Sequence, residues 1–141
     1  MTAREYMNQA YRLDERIRSK QEQIAALNDL ATKCTAHMTG MPRNTNGGGS
    51  RLEDAVSKIV DLQEIIAADM EALVMLKADI VATIKAVENI DFQLILEKRY
   101  ISNKSWPEIA VDLGYKMRRT YELHDAALEE IKIPEKYLGA Q

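Results

Sequence analysis

The stretch Arg99-Tyr100-Ile101-Ser102-Asn103-Lys104-Ser105-Trp106-Pro107-Glu108-Ile109-Ala110-Val111-Asp112-Leu113-Gly114-Tyr115-Lys116-Met117-Arg118-Arg119-Thr120-Tyr121-Glu122-Leu123-His124 decides how this chain is read. Ser102-Asn103-Lys104 is a polar break. Ser105 is then a good helix N-cap, and Glu108 completes an S-x-x-E capping box. Pro107 fits the first turn, where its missing N–H has no intrahelical use. The spacing predicts a short helix over Trp106–Leu113 with Ile109, Ala110 and Leu113 facing inward. Ala110 suits a crossing point at which a larger side chain would push two helices apart. Gly114 is expected to end the helix in the left-handed region and make a sharp turn. A further helix is expected from about Lys116 to Ile131, with Thr120, Leu123, Ala127 and Ile131 inward. Lys116, Met117, Arg118, Tyr121, Glu122 and Asp125 then point outward. This is the layout of a helix-turn-helix, which places its second helix in the DNA major groove.

The residues ahead of this unit read as long helices. Asp91 to about Ile101 forms a supporting helix with Phe92, Ile95, Leu96 and Tyr100 on its apolar face. In residues 4–37, Ala10, Leu13, Ile17, Ile24, Leu27, Ala31 and Cys34 make a coiled-coil seam, with Lys20 at one seam position. Residues 38–51, which hold Gly40, Pro42 and the run Asn44-Thr45-Asn46-Gly47-Gly48-Gly49-Ser50, read as a flexible loop. A second long helix is predicted from about Leu52 to about Asn89. Its seam is Leu52, Ala55, Ile59, Leu62, Ile66, Leu73, Leu76, Ile80 and Val87, with Asp69 and Thr83 as polar interruptions. Val56, Val60, Ile65, Met70, Val74, Val81 and Ile84 widen its apolar stripe beyond what one partner helix covers.

The expected fold is therefore all-α: a long antiparallel, coiled-coil-like helical hairpin over residues 1–90, then a helix-turn-helix domain over 91–141. The uncovered stripe predicts a homodimer or higher homo-oligomer through residues 52–89, or a docked partner protein.

Composition limits the function classes. The 141 residues are 46% apolar and 6% aromatic, which suits Leu/Ile/Ala-rich helices better than a β-sandwich. The net charge is −3, so the whole chain is no polycation, and DNA binding depends on a local patch. A single cysteine, Cys34, excludes an intramolecular disulfide and a cysteine-based metal cluster. Cys34 and His37 are spaced as two metal ligands, but nothing nearby completes a tetrahedral set. The first twenty residues are charged throughout, unlike a signal peptide, and no apolar run is long enough to span a bilayer. The expectation is a soluble, cytoplasmic protein. Gly47-Gly48-Gly49 is followed by Ser50 and Arg51 rather than the lysine of a phosphate-binding loop. The paired carboxylates are the solvated faces of long helices. No enzyme and no cofactor are expected.

Residues 91–131 resemble region 4 of bacterial RNA polymerase sigma factors, the module that reads the upstream promoter element. The form they resemble most is the phage- and prophage-encoded sigma-like regulators of Gram-positive bacteria, including the ArpU-type late-gene regulators. The resemblance rests on Arg99-Tyr100-Ile101, Lys104-Ser105-Trp106, Glu108-Ile109-Ala110, Leu113-Gly114-Tyr115 and Tyr121-x-Leu123-His124. It covers under a third of the chain. It implies that Met117, Arg118, Tyr121 and Glu122 face bases, with Lys116 and Arg119 nearer the phosphates. Two positions depart from the pattern: Lys116 stands where a Ser or Thr cap is usual, and Thr120 replaces Val or Ile. No counterpart of the promoter-melting sigma region 2 is present, so the chain is not a complete sigma factor.

Several residues carry two readings. Arg118 and Arg119 suit contacts to guanine and phosphate, or a solvated face paired with Glu122. Glu122 suits a bond from cytosine N4, or exclusion of wrong sequences by repulsion. Lys104 is the best phosphate contact in the preceding loop, while Lys98 flanks the patch and Arg99 equally suits an internal ion pair. Trp106 and Tyr100 suit packing better than base stacking. Met117 suits a thymine methyl group, and His124 a packed, hydrogen-bonded position. Three functions follow as expectations: a DNA-binding transcription regulator that reads double-stranded DNA while its hairpin dimerises or engages host RNA polymerase, a polymerase-docking adaptor without DNA readout, or a small-terminase-like packaging protein.

Overall fold

Thr2 opens the first helix, α1 (Ala3–Asn8), through a reciprocal capping box: its hydroxyl accepts the Glu5 N–H while the Glu5 carboxylate accepts the Thr2 N–H. In the computed structural model, which describes residues 1–40 and 48–139, six more α-helices follow. They are α2 (Leu13–Gly40), α3 (Gly48–Lys85), α4 (Ile90–Leu96), α5 (Trp106–Leu113), α6 (Met117–Glu129) and α7 (Glu135–Leu138), with a π-helical turn over Glu97–Ile101. The fold is all-α, with no strand among the described residues, and its two long helices stand where the seam patterns place them.

The chain packs as two units, Asp14–Val74 and Met1–Leu13 with Met75–Gln141. The division therefore falls elsewhere than the expected boundary at 90/91. In the Asp14–Val74 unit, Lys20 Nζ lies 3.6 Å from Asp69, and Gln63 donates to Asn28. Later residues of α3 thus meet earlier residues of α2, an antiparallel pairing. Ile17, Lys20, Ile24, Leu27, Ala31 and Cys34 are all half-buried, as the α2 seam requires. The α3 seam is corrected at two places. Leu62 is exposed and Asp69 points to Lys20 from the rim, while Gln63 and Met70 are half-buried between the buried Ile59 and Leu73. The three- and four-residue steps 59, 63, 66, 70 and 73 keep one face inward without Leu62.

Two boundaries also move. The first helix is not continuous from residue 4: α1 ends at Asn8, and α2 begins at Leu13 after a turn whose Arg12 has φ +52°. On the near side of the break Tyr6, Met7 and Ala10 are buried in the other unit, so Ala10 belongs to that core rather than to the α2 seam. The predicted loop 38–51 is partly helical, since α2 reaches Gly40 and α3 starts at Gly48. Its remainder, 41–47, lies outside the described residues.

The core of the unit that contains α4–α7 joins α1 to the last turns of α3. Tyr6, Met7, Ile80, Ile84, Ile95, Leu96 and Ile109 are essentially fully buried. Asn89 caps α4, its side-chain oxygen accepting the Asp91 and Phe92 N–H groups. α4 then packs on α6, and α6 also meets α5 and α1. The far edge is fastened by α7: the Tyr137 hydroxyl donates to Asp79 at 2.6 Å, and Lys136 Nζ reaches the same carboxylate at 2.6 Å. These two bonds hold the Asp79 carboxyl below its ordinary range. Among the described residues no helix is long and apolar enough to cross a membrane.

Candidate nucleic-acid interface

The glycine turn after α5 forms, and of the expected capping box the Ser105 half is made. The Ser105 hydroxyl accepts the Glu108 N–H at 3.3 Å to start α5. At its end Gly114 takes φ +72°, its N–H bonds the Val111 carbonyl, and the Tyr115 N–H bonds the Ala110 carbonyl at 3.0 Å. That pair of bonds is a Schellman ending, and a left-handed residue is needed to make it. Only the backbone conformation calls for glycine here, since a Cβ at Gly114 would meet nothing within 4 Å.

α6 is amphipathic in the expected register. Thr120, Leu123, Ala127 and Ile131 are buried, as are His124 and Leu128. Thr120 brings a hydroxyl to the core without orphaning it, because the group donates to the Lys116 carbonyl at 3.0 Å. Lys116, Arg118, Tyr121, Glu122 and Asp125 are exposed and Met117 is half-exposed. These side chains share the outward surface of α6, and part of their charge is already engaged within the chain. Arg118 Nε lies 3.3 Å from the Glu122 carboxylate, one helical turn on. Arg119 instead sits over the Tyr115 ring, 5.7 Å from its centroid.

Lys104 is engaged by α5. Its ammonium is 2.6 Å from the Asp112 carboxylate of α5, which also takes Lys98 at 3.4 Å. The Lys104 bond, with Lys98 behind it, lowers the Asp112 carboxyl from its ordinary value, and Asp112 in turn raises Lys104. A phosphate reaching Lys104 has to compete with an existing carboxylate.

Behind the face lies an aromatic layer. Trp106 is half-buried, with the Arg99 guanidinium 4.5 Å from its ring centroid, Tyr121 at 5.2 Å and His124 edge-on at 4.6 Å. Arg99 is held by donating to the Lys104 carbonyl at 3.1 Å, so it braces the loop before α5. Asn103, in that loop, adopts φ +55°. Trp106 and Tyr100 thus pack. His124 is packed too, and the Tyr100 hydroxyl meets its Nε2 at 2.6 Å.

Sequence reasoning missed Arg4, whose guanidinium lies 2.8 Å from Asp125 on α6. The two residues are 121 positions apart, and no local pattern pairs them. Among the described residues no cluster of three or more His, Cys, Asp or Glu could hold a metal ion. Of the Cys34–His37 pair, the His37 side chain lies outside the described part of the structure. Comparison with protein-family models, curated proteins and solved structures returns no match.

The start of α6 carries a testable defect. Lys116 is its N-cap, in the extended conformation a cap needs (φ −75°, ψ 160°), yet no side-chain bond is made there. No acidic residue offsets the helix dipole in the first turn, which holds Arg118 and Arg119. Lys116→Ser is expected to stabilise the free protein by about 1 kcal/mol, since a serine cap satisfies an orphan N–H. Urea denaturation checks this: an unchanged midpoint would mean that α6 is already fully capped by water.

Proposed function

We propose that the chain is a sequence-specific DNA-binding transcription regulator that presents α6 to a promoter element, as the resemblance to sigma region 4 implies. The observation that carries the reading is the placement of charge on α6. Lys116, Arg118 and Arg119 crowd the positive end of its dipole, where cations lower helix stability and where an anion is attracted. That arrangement serves phosphate contact at the expense of the helix itself. The Schellman turn and buried inner stripe support α5 and α6 acting as a helix-turn-helix with that end leading. In this reading Lys116 and Arg119 meet phosphates, while Met117, Arg118, Tyr121 and Glu122 face base edges. The phage-derived origin belongs to the same proposal.

The hairpin supplies the second half of the proposal. On α3, Leu62 and Ile65 are 48% and 59% exposed, and Leu30 on α2 is 47% exposed. Such apolar area supports self-association through residues 52–89, or docking on host RNA polymerase. Two tethered readers gain effective concentration, which offsets the acidic charge of the chain.

Retention of sheared genomic DNA at about physiological salt, followed by sequencing, tests the reading. Wild type is expected to enrich discrete sites. Arg118→Ala/Arg119→Ala is expected to weaken binding to them about tenfold to a hundredfold, at roughly 1–3 kcal/mol per lost base contact and less for a phosphate contact. Retention unaffected by the double substitution sinks direct readout. The second reading, a protein-docking adaptor, is favoured specifically by the Arg118–Glu122 and Lys104–Asp112 pairs, which satisfy cations within the chain. A ring-sized oligomer in solution points instead to the packaging alternative.

A further inference from the structure

On α6, residues 118, 121, 122 and 125 recur at three- and four-residue steps and so line one exposed stripe. Asp125 thus lies on the face assigned to DNA, about two turns beyond Arg118. Alone it is a liability there, because with Glu122 it opposes the cations at the helix start. Lys116, Arg118 and Arg119 against Glu122 and Asp125 leave the face barely positive. The Arg4 guanidinium, delivered by α1, changes that balance by lying 2.8 Å from Asp125 Oδ1.

This contact is poorly placed to stabilise the fold. Both side chains are more than half exposed, 57% and 63%, and exposed pairs of that kind contribute little to folding. α1 has other anchors, since Tyr6 and Met7 are fully buried. The pair's effect is therefore on the field outside α6. We propose that Arg4 is a positioning residue for DNA binding: it masks Asp125, so that the α6 stripe can approach the phosphate backbone along its length rather than at its first turn only. The inference rests on the DNA-reading proposal. It adds a determinant that lies outside the helix-turn-helix and belongs to the opposite end of the chain.

The test is a DNA-binding titration over a series of salt concentrations, using the full chain and a site recovered by retention. Arg4→Ala is expected to weaken binding about five- to tenfold at low salt, with the deficit shrinking as salt screens the exposed carboxylate. Its thermal midpoint should stay close to wild type. Arg4→Lys should keep most of the affinity. Asp125→Asn in the Arg4→Ala background should restore it, because the carboxylate is then gone. Wild-type affinity for Arg4→Ala overturns the inference, as does a loss that Asp125→Asn fails to repair. Arg118→Ala/Arg119→Ala runs in the same titration. A loss in that variant beside no change in Arg4→Ala removes this inference alone, whereas no wild-type binding removes both it and the DNA-reading proposal.

Discussion

Tyr6→Ala is expected to destabilise the α4–α7 unit by about 3–5 kcal/mol, the range for truncating a buried aromatic ring. Tyr6 is 0% exposed and its ring lies 5.1 Å from that of Tyr137. The hydroxyl adds a directional bond. Thr83 already spends its only proton on the Asp79 carbonyl at 2.7 Å, so Tyr6 must be the donor in its 3.1 Å contact with Thr83. Burial also pushes the Tyr6 hydroxyl above its ordinary pKa, which keeps that proton in place. Tyr6→Phe should therefore cost only about 1 kcal/mol, because Thr83 keeps its carbonyl partner and no polar group is orphaned. The gap between the two substitutions separates ring packing from the hydrogen bond. Thermal and urea denaturation read both, and a Tyr6→Ala midpoint close to wild type would mean that α1 is peripheral to this core.

The position of α1 marks where the sequence stops being readable. Local chemistry announced the α5–α6 region: a serine cap, a glycine that must go left-handed, and an inner stripe at helical spacing. Those signals act over a few residues, and the structure follows them to within a residue or two. The long helices were legible for the same reason, as repeats of three and four. What failed was the choice between competing stripes. α3 has enough apolar residues to define more than one seam, and packing selected Gln63 and Met70 over Leu62 and Asp69. The turn after Asn8 carries neither glycine nor proline. Its cause is tertiary, the burial of Tyr6 and Met7 beside α3, and Arg12 accepts φ +52° as a consequence. Charge pairing was the least legible. The residues chosen as DNA contacts are on the surface, but Lys104 is taken by Asp112, and Arg4 reaches Asp125 from the other end of the chain.

His124 is expected to make the same unit lose stability in mild acid. Its ring is 2% exposed, and burial, aided by the Arg4 charge, lowers its pKa from the ordinary 6.5 to about 4. Asp125 lies 3.7 Å from Nδ1, and Nε2 shares a 2.6 Å hydrogen bond with the Tyr100 hydroxyl. Protonation would place a second cation against the Trp106 ring that already carries Arg99. The unfolded chain takes up a proton below about pH 6.5 that the folded unit refuses until about pH 4. Unfolding is thus favoured increasingly as pH falls through that window and is insensitive to this group above it. The full effect is about 3–4 kcal/mol, from a pKa lowered from 6.5 to about 4 at roughly 1.4 kcal/mol per unit. Asp79 and Asp112, whose carboxyls are lowered, add their own losses at the acid end of the range. An NMR titration of the His124 ring, run beside urea unfolding at several pH values, isolates its share. A midpoint near pH 6.5 would refute the buried neutral ring. His124→Gln, which keeps a hydrogen-bond partner for Tyr100, should flatten the stability profile between pH 6.5 and 4 while leaving the carboxylate-driven fall below it. Because Arg4 contributes to the shift, Arg4→Ala should move the His124 midpoint upward, and that displacement reports the Arg4–Asp125–His124 geometry without any DNA present.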